Sequence, residues 1–379
     1  MIYLDNASTT KIFDSVNQTI YKINSERYFN SSALYKPAIE NASLLNSAKE
    51  ELAKNMGTTG GHIIFTSGAT ESNNMAINGF ATGKKDAEYI FSAGEHPSVF
   101  NVANNLKMQN KIVKFVALSK NGQVEVEALK KALTPNTHFV SIMHVSNETG
   151  AINDIKTLAK IVHDYNPNII FHCDGTQAFG KIDVNVKDLD VDAYTISGHK
   201  FHGPKGVGAL YVKNINKIKP IILGGGQQGG FRSGTENLSG YVGMANASTI
   251  VVNNLNANYK QISAFRDYIK QEVKANCSDF VINEAAENSP YALSISFKDL
   301  RGEVLLHMLE EKGILIGIGS ACSSKKQNNR VLEGMGVAKN YVLGSIRISF
   351  SSFNTPEEIK IATSELIAQY KILKQNISK

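Results

Sequence analysis

Ser197-Gly198-His199-Lys200 ends a strand-like apolar run and precedes a turn, Gly203-Pro204-Lys205-Gly206-Val207-Gly208. A lysine set among glycines is held close to the backbone, where cationic neighbours and partial burial depress its pKa and free the amine to condense with a carbonyl. A solvated loop lysine is the plainer reading of the same four residues. Upstream, Ile169-Ile170-Phe171-His172-Cys173 runs into Asp174-Gly175-Thr176-Gln177. That pattern places a carboxylate at the carboxyl end of a strand, the edge where α/β sheets bind ligands, or else a simple turn or helix cap. A third segment, Ser67-Gly68-Ala69-Thr70-Glu71-Ser72-Asn73-Asn74, joins the strand-like Ile63–Thr66 to a helical stretch. Free N–H groups and the helix dipole would converge there as at a phosphate site, though a helix start of this kind is also an ordinary N-cap. Arg232-Ser233-Gly234-Thr235, near Gly224-Gly225-Gly226, offers further phosphate donors.

An amine, a carboxylate and a phosphate cradle together meet the needs of pyridoxal 5′-phosphate. That cofactor is an electron sink while its pyridine nitrogen stays protonated, which a paired aspartate ensures. Asp174 is the candidate for that pairing, Gln177 could reach the phenolic oxygen, and Lys200 would carry the cofactor as a Schiff base. Three cysteines, Cys173, Cys277 and Cys322, are too few and too scattered for a disulfide framework and form no CxxC pair, so no metal site is expected. Cys173 sits inside an apolar strand and Cys277 has no motif around it. Cys322 lies between Gly317-Ile318-Gly319 and a run, Ser323 to Arg330, without an apolar residue to anchor it. It reads as a working thiol, against the usual fate of a free cysteine as a small buried residue.

Short β-like runs (Tyr89–Ser92, Ile112–Val116, Phe139–Met143, Ile169–Cys173, Ala193–Ile196, Val207–Val212) alternate with helical stretches such as Lys36–Met56 and Ile155–Tyr165. This predicts an α/β large domain with a mostly parallel sheet covered by helices on both faces. The stretch from about Leu238 to Cys277 reads as an interdomain helix followed by a helix of the next domain. Short strands (Ala292–Phe297, Ser345–Phe350) and amphipathic helices (Glu303–Lys312, Pro356–Lys371) then suggest a smaller α+β domain. A chain of 379 residues suits two domains. The net charge of +6 is spread without a basic run, so it favours small anionic ligands at most and gives no support to a nucleic-acid partner. The N-terminus, Met1-Ile2-Tyr3-Leu4-Asp5-Asn6, lacks the features of a signal peptide, and no apolar run approaches the ~20 residues of a membrane span. A cytoplasmic protein with no membrane contact is expected.

The chain resembles the NifS/IscS-type cysteine desulfurases of the class V aminotransferase family over nearly its whole length. The resemblance rests on Tyr3-Leu4-Asp5-Asn6-Ala7, Thr66 to Asn74, Glu95-His96-Pro97-Ser98, His144 to Gly150, Asp174 to Gln177, Ser197 to Lys200, Arg232 to Thr235, Ser320-Ala321-Cys322-Ser323-Ser324 and Ile346-Arg347-Ile348-Ser349. It implies the aspartate aminotransferase-like fold type I, with residues 13–250 forming the cofactor domain and residues 1–12 and 251–379 the small domain that carries the cysteine loop.

By the same resemblance, Lys200 is the Schiff-base lysine, Asp174 pairs with the pyridinium and Gln177 with the phenolic oxygen. His96 stacks on the ring and transfers protons. Ala69, Thr70, Ser197 and His199 hold the phosphate, with Thr235 supplied by the neighbouring subunit of a homodimer. Asn147, a cofactor contact as well, and Arg347 bind the substrate carboxylate. Cys322 takes sulfur from L-cysteine as a persulfide, alanine leaves, and an acceptor thiol collects the sulfur. The long segment after Cys322 points to the branch that serves iron–sulfur scaffolds or tRNA- and cofactor-thiolation proteins. A selenocysteine lyase or another pyridoxal-phosphate transferase of the same fold is the alternative. The chain departs from the family at Asn30-Ser31-Ser32-Ala33-Leu34-Tyr35 and at Gly224-Gly225-Gly226-Gln227-Gln228-Gly229-Gly230. At the second of these a common charged pair is missing near the expected dimer and phosphate region.

Overall fold

The computed structural model of the chain describes residues 1–318 and 329–377, so Cys322 lies outside the described residues. The described strands are β1 (Ile2–Tyr3), β2 (His62–Thr66), β3 (Glu88–Ser92), β4 (Ile112–Val116), β5 (Thr137–Ser141), β6 (Ile170–Asp174), β7 (Ala193–Ser197), β8 (Gly208–Val212), β9 (Phe280–Ile282), β10 (Ala292–Phe297), β11 (Ile314–Leu315) and β12 (Ser345–Ser349). Seven of them form one sheet in the order β2-β8-β7-β6-β5-β3-β4. β8 runs antiparallel to both of its neighbours, and the remaining pairs are parallel. Parallel neighbours need crossover connections, which here include the helices Pro97–Met108 and Ile155–Tyr165.

Successive side chains of a strand point to opposite faces, and the apolar residues of the sheet divide accordingly. Ile63 and Phe65 of β2, Val140 of β5, Phe171 and Cys173 of β6, and Tyr194 and Ile196 of β7 join a core with Leu45 and Leu52 of the helix Lys36–Asn55 and Leu158 and Val162 of Ile155–Tyr165. Ile64, Phe139, Ile170 and Ala193, one residue out of phase, join a second core with Met75 of the helix Ala69–Gly79 and Val102 of Pro97–Met108. A sheet buried on both faces explains why its strands read as continuous apolar runs. The helix Leu238–Asn253 is apolar on nearly all sides and correspondingly buried. Its Tyr241 ring stacks on Phe65 at 4.3 Å.

The stretch from Leu238 divides at Asn254, where the helix Leu255–Asn276 begins. That helix, together with Gly302–Glu310 and Pro356–Ile377, packs on an antiparallel sheet of order β12-β10-β9. A third apolar cluster forms there around Ile262, Ile295, Phe297, Ile346 and Leu366. Leu4 belongs to this cluster, β1 pairs with β11, and Asp5 bridges to Ser349. The first residues of the chain are therefore fastened to its last third before they cross to the large sheet. Among the described residues, no helix is long and apolar enough to cross a membrane.

Candidate functional site

The chemistry-bearing segments leave the large sheet at one edge. Ser67 follows β2, His96 follows β3, Asn147 follows β5, Asp174 ends β6 and Lys200 follows β7. These strands are mutually parallel, so all five meet at their shared carboxyl edge.

Lys200 closes a short turn, Gly198–Lys200, and its Nζ donates to the carbonyls of Ala7 (2.7 Å) and Ser8 (2.8 Å). The N-terminal segment is laid along that turn by Thr10 N donating to His199 O (2.9 Å), by His199 Nδ1 meeting Thr9 Oγ1 (3.1 Å) and by His202 N donating to Thr10 Oγ1 (2.8 Å). Gln177 Nε2 donates to the same Ala7 carbonyl (2.9 Å), which brings Gln177 and Lys200 to one acceptor. On its other side, Gln177 Oε1 accepts from Lys181 Nζ at 2.6 Å.

Asp174 is buried, with Oδ1 accepting from Thr176 N (3.0 Å) and Oδ2 from Asn73 Nδ2 (2.8 Å). Asn73 Nδ2 also donates to Ser98 Oγ (2.8 Å), and Ser98 Oγ meets His96 Nδ1 (2.8 Å). The donors in this line assign themselves. An amide NH₂ can only donate, so Ser98 Oγ accepts from Asn73 and passes its own proton to His96 Nδ1. Ser98 N donates to that nitrogen too (3.1 Å). Nδ1 is therefore the acceptor, and the neutral imidazole carries its proton on Nε2. Desolvation in the crowded site lowers the His96 pKa, the charge of Asp174 raises it, and Lys200 and Arg330 lower it further. The imidazole is thus kept neutral near pH 7, and the charges acting on it include both Asp174 and Lys200.

The helix Ala69–Gly79 begins at the same edge with no side chain capping its first N–H groups. Gly68 adopts φ 154° and ψ 178°, a conformation open essentially to glycine alone. Gly208 on the neighbouring strand lies so close that a Cβ there would sit 2.6 Å from the Gly68 Cα. Ser197 Oγ is 3.8 Å from where a Cβ of Gly68 would stand, and Thr70 is exposed. Arg232 is turned to Glu71 in a two-point ion pair (2.7 and 3.3 Å), while Glu71 Oε2 also accepts from Ser67 N (2.8 Å). Thr235 is exposed in the single chain.

Arg347, in β12, reaches the site from the smaller sheet. Nη1 donates to the Asn147 carbonyl (2.8 Å), and Nη2 donates to Asp5 Oδ1 (2.8 Å) and Ser8 Oγ (2.9 Å). Its Nε is buried with no hydrogen-bond partner among the described residues. Asn147 and Arg347 are brought together, but through the Asn147 backbone. At the departure from the family pattern, Gln228 is buried with a left-handed φ of 50°. Its Oε1 accepts from Phe65 N (3.0 Å) on the edge strand β2 and its Nε2 donates to Glu236 (2.7 Å), so the residue caps the sheet edge within the subunit. Burial raises the Cys173 thiol well above its ordinary value and pushes the half-buried Cys277 up to about 11, which disfavours the thiolate at both.

Three participants escaped the sequence reading: the Asn73–Ser98 link, Asp5 on Arg347, and Lys181. Asn73 and Ser98 lie 25 residues apart on different helices, and nothing in either segment announces the pairing. Lys181 did carry a signal, since it stands in an otherwise apolar run, Ala178-Phe179-Gly180-Lys181-Ile182, where a solvated lysine is out of place.

A cysteine desulfurase IscS of Dictyoglomus turgidum is 38% identical over 362 residues, covering 94% of this chain and 91% of that protein. A solved NifS-like protein superposes with a TM-score of 0.92 at 34% identity, covering 98% of this chain and 100% of its own. A structure described as SspA in complex with cysteine matches with a TM-score of 0.81 at 28% identity over 94% of this chain and 100% of its own. The family described as aminotransferase class-V matches residues 2–361, from the first strand into the last long helix, and the chain belongs to that family.

Proposed function

We propose that this protein is a pyridoxal-phosphate-dependent cysteine desulfurase that converts L-cysteine to L-alanine and takes the sulfur onto Cys322 as a persulfide. The observation that carries the reading is the pair of linkages at the carboxyl edge: Lys200 joined to Gln177 through the Ala7 carbonyl, and Asp174 joined to His96 through Asn73 and Ser98. The names of its relatives supply the substrate.

The residues present fit the cofactor. Lys200 offers the amine, Asp174 a buried carboxylate for the ring nitrogen, and Gln177 an amide for the phenolic oxygen. The uncapped N–H groups of Ala69 and Thr70, with Ser197 and His199, suit a phosphate. Thr176 Oγ1 is buried with no hydrogen-bond partner among the described residues, so the pocket holds a donor still to be used. When bound, pyridoxal phosphate supplies an electron sink that labilises bonds around the substrate α-carbon.

The chain's own groups do the rest. Arg347 grips the substrate carboxylate with Asn147 beside it. Lys200 moves a proton at the α-carbon. His96 exchanges its proton at Nε2, because Nδ1 is engaged by Ser98. The Cys322 thiolate attacks the substrate sulfur, the carbon–sulfur bond breaks, and protonation at carbon completes alanine while the persulfide stays on Cys322. We further propose a homodimer in which Thr235 serves the neighbouring site, and an acceptor protein of iron–sulfur or thiolation chemistry. Residues 13–250 would form the cofactor domain, with 1–12 and 251–379 as the second.

The deciding experiment incubates the protein with cysteine and pyridoxal phosphate and quantifies alanine and sulfide. Cys322→Ala is expected to keep the visible cofactor absorbance and lose turnover; a mutant as active as wild type on cysteine would remove Cys322 as sulfur acceptor. At the phosphate cradle, Gly208→Ala pushes a methyl against the Gly68 backbone, which cannot swing aside as a side chain would. We expect cofactor affinity to fall about tenfold or more and stability to drop by about 1–3 kcal/mol. Spectroscopic titration and thermal unfolding check both.

A further inference from the structure

Lys181 is 5% exposed, and its pocket has a composition unusual for a lysine. Its ammonium donates to Gln177 Oε1 at 2.6 Å and lies 5.8 Å from the centre of the Tyr291 ring. Lys181, Lys200 and Tyr291 line one small enclosed cavity, with Phe201 and Val251 among its apolar walls. Among the described residues, the charged groups that act on Lys181 are Lys200 and Arg347, both positive. Burial first, and then these two cations, lower its pKa to about 7. Lys181 in turn lowers the pKa of His199 and His202. A buried lysine without a carboxylate is costly, and here it is placed where its charge bears on the lysine that does the chemistry.

We propose that Lys181 is a positioning residue of the Lys200 pocket: while protonated, it orients the Gln177 amide and supplies a positive field that weakens proton binding at the Lys200 nitrogen. The orientation follows from donor chemistry. An ammonium has no acceptor, so the amide oxygen of Gln177 must face Lys181 and its NH₂ must face Ala7 and the Lys200 side. The field follows from Coulomb's law in a water-poor pocket, where like charges disfavour one another's protonated forms. This inference rests on the reading of Lys200 as the cofactor lysine.

The test is a pH titration of the visible absorbance band of the protein loaded with pyridoxal phosphate. Lys181→Met keeps the length and apolar stem and removes the charge, and it is expected to raise the pH midpoint by up to about one unit, the full shift applying where Lys181 is still charged. Lys181→Arg keeps a permanent charge where Lys181 loses its own, and its midpoint is expected below that of wild type. A Lys181→Met midpoint equal to wild type would overturn the inference while leaving the cofactor reading intact. Should Lys181→Met fail to fold or to load, Lys181→Arg decides: a midpoint at or above wild type overturns the proposal, and one below it supports it. A wild-type protein that takes up no cofactor at all would remove both the inference and the reading beneath it.

Discussion

Replacing Lys200 with alanine is expected to lower turnover of L-cysteine by about ten-thousand-fold, the upper end of what a positioned acid–base group supplies, with the fold retained. The asymmetry comes from where the side chain sits. Its Nζ donates to the Ala7 and Ser8 carbonyls, and the first of these keeps Gln177 Nε2 as a donor when Lys200 is gone. The Ser8 carbonyl belongs to an exposed residue, where water can replace the lost donor. Stability should therefore fall by only about 1 kcal/mol, the net worth of an ordinary hydrogen bond. Activity has no such substitute, since neither water nor Gln177 can anchor the cofactor or shuttle the proton at the α-carbon. Desalting should strip the cofactor from Lys200→Ala and leave it on wild type. Alanine production within tenfold of wild type, with the absorbance retained after desalting, would end the case for Lys200 as the anchor.

The second large effect is on stability in mild acid. His144, His172 and His202 are buried, and burial lowers each to about 4 from an ordinary value of 6.5. Their hydrogen bonds can all be made by neutral rings: His144 Nδ1 meets Tyr194 Oη, His172 lies between Ser141 Oγ and Thr195 Oγ1, and His202 Nδ1 donates to the Lys11 carbonyl, a bond that raises the His202 pKa but is outweighed by burial. The fold excludes the charged form, while the unfolded chain binds these protons near pH 6.5. The contribution of the three is therefore fully present above that pH and is lost as pH falls toward 4. At pH 5 the unfolded state holds nearly three more protons, so stability should fall by up to about 4 kcal/mol per pH unit. Urea unfolding at pH 7.5, 6 and 5 measures it. His172→Gln, which removes a titrating ring but can still hydrogen-bond, should flatten the slope by about one third. A urea midpoint constant from pH 7.5 to 5 would contradict the argument.

Much of this architecture was legible because it follows from local rules. A sheet covered on both faces demands uninterrupted apolar strands, and β3, β4, β6, β7 and β8 stand within a residue or so of the runs Tyr89–Ser92, Ile112–Val116, Ile169–Cys173, Ala193–Ile196 and Val207–Val212. β5 was displaced by two residues, Thr137–Ser141 against Phe139–Met143, because Ile142 and Met143 are as apolar as the strand they follow. Arg232 was read as a phosphate donor, whereas Glu71, 161 residues earlier in the chain, holds its guanidinium. Gln228 was seen only as a missing charge, and its role as a cap on Phe65 N depends on a strand edge that no local pattern reveals.

By itself, then, the sequence determined the alternation of strand and helix, the carboxyl-edge placement of Asp174 and Lys200, the glycine at position 68, and Cys322 as the thiol to test. Those features depend on side-chain period, turn chemistry and residue type, which act over a few positions. Only the tertiary structure decided that Ala7 would join Lys200 to Gln177, that Asn73 and Ser98 would carry Asp174 to His96, that Asp5 would sit on Arg347, and that Lys181 would be buried behind Lys200. Each of these requires segments distant along the chain to meet at angstrom distances, and the packing of whole sheets and helices sets such meetings.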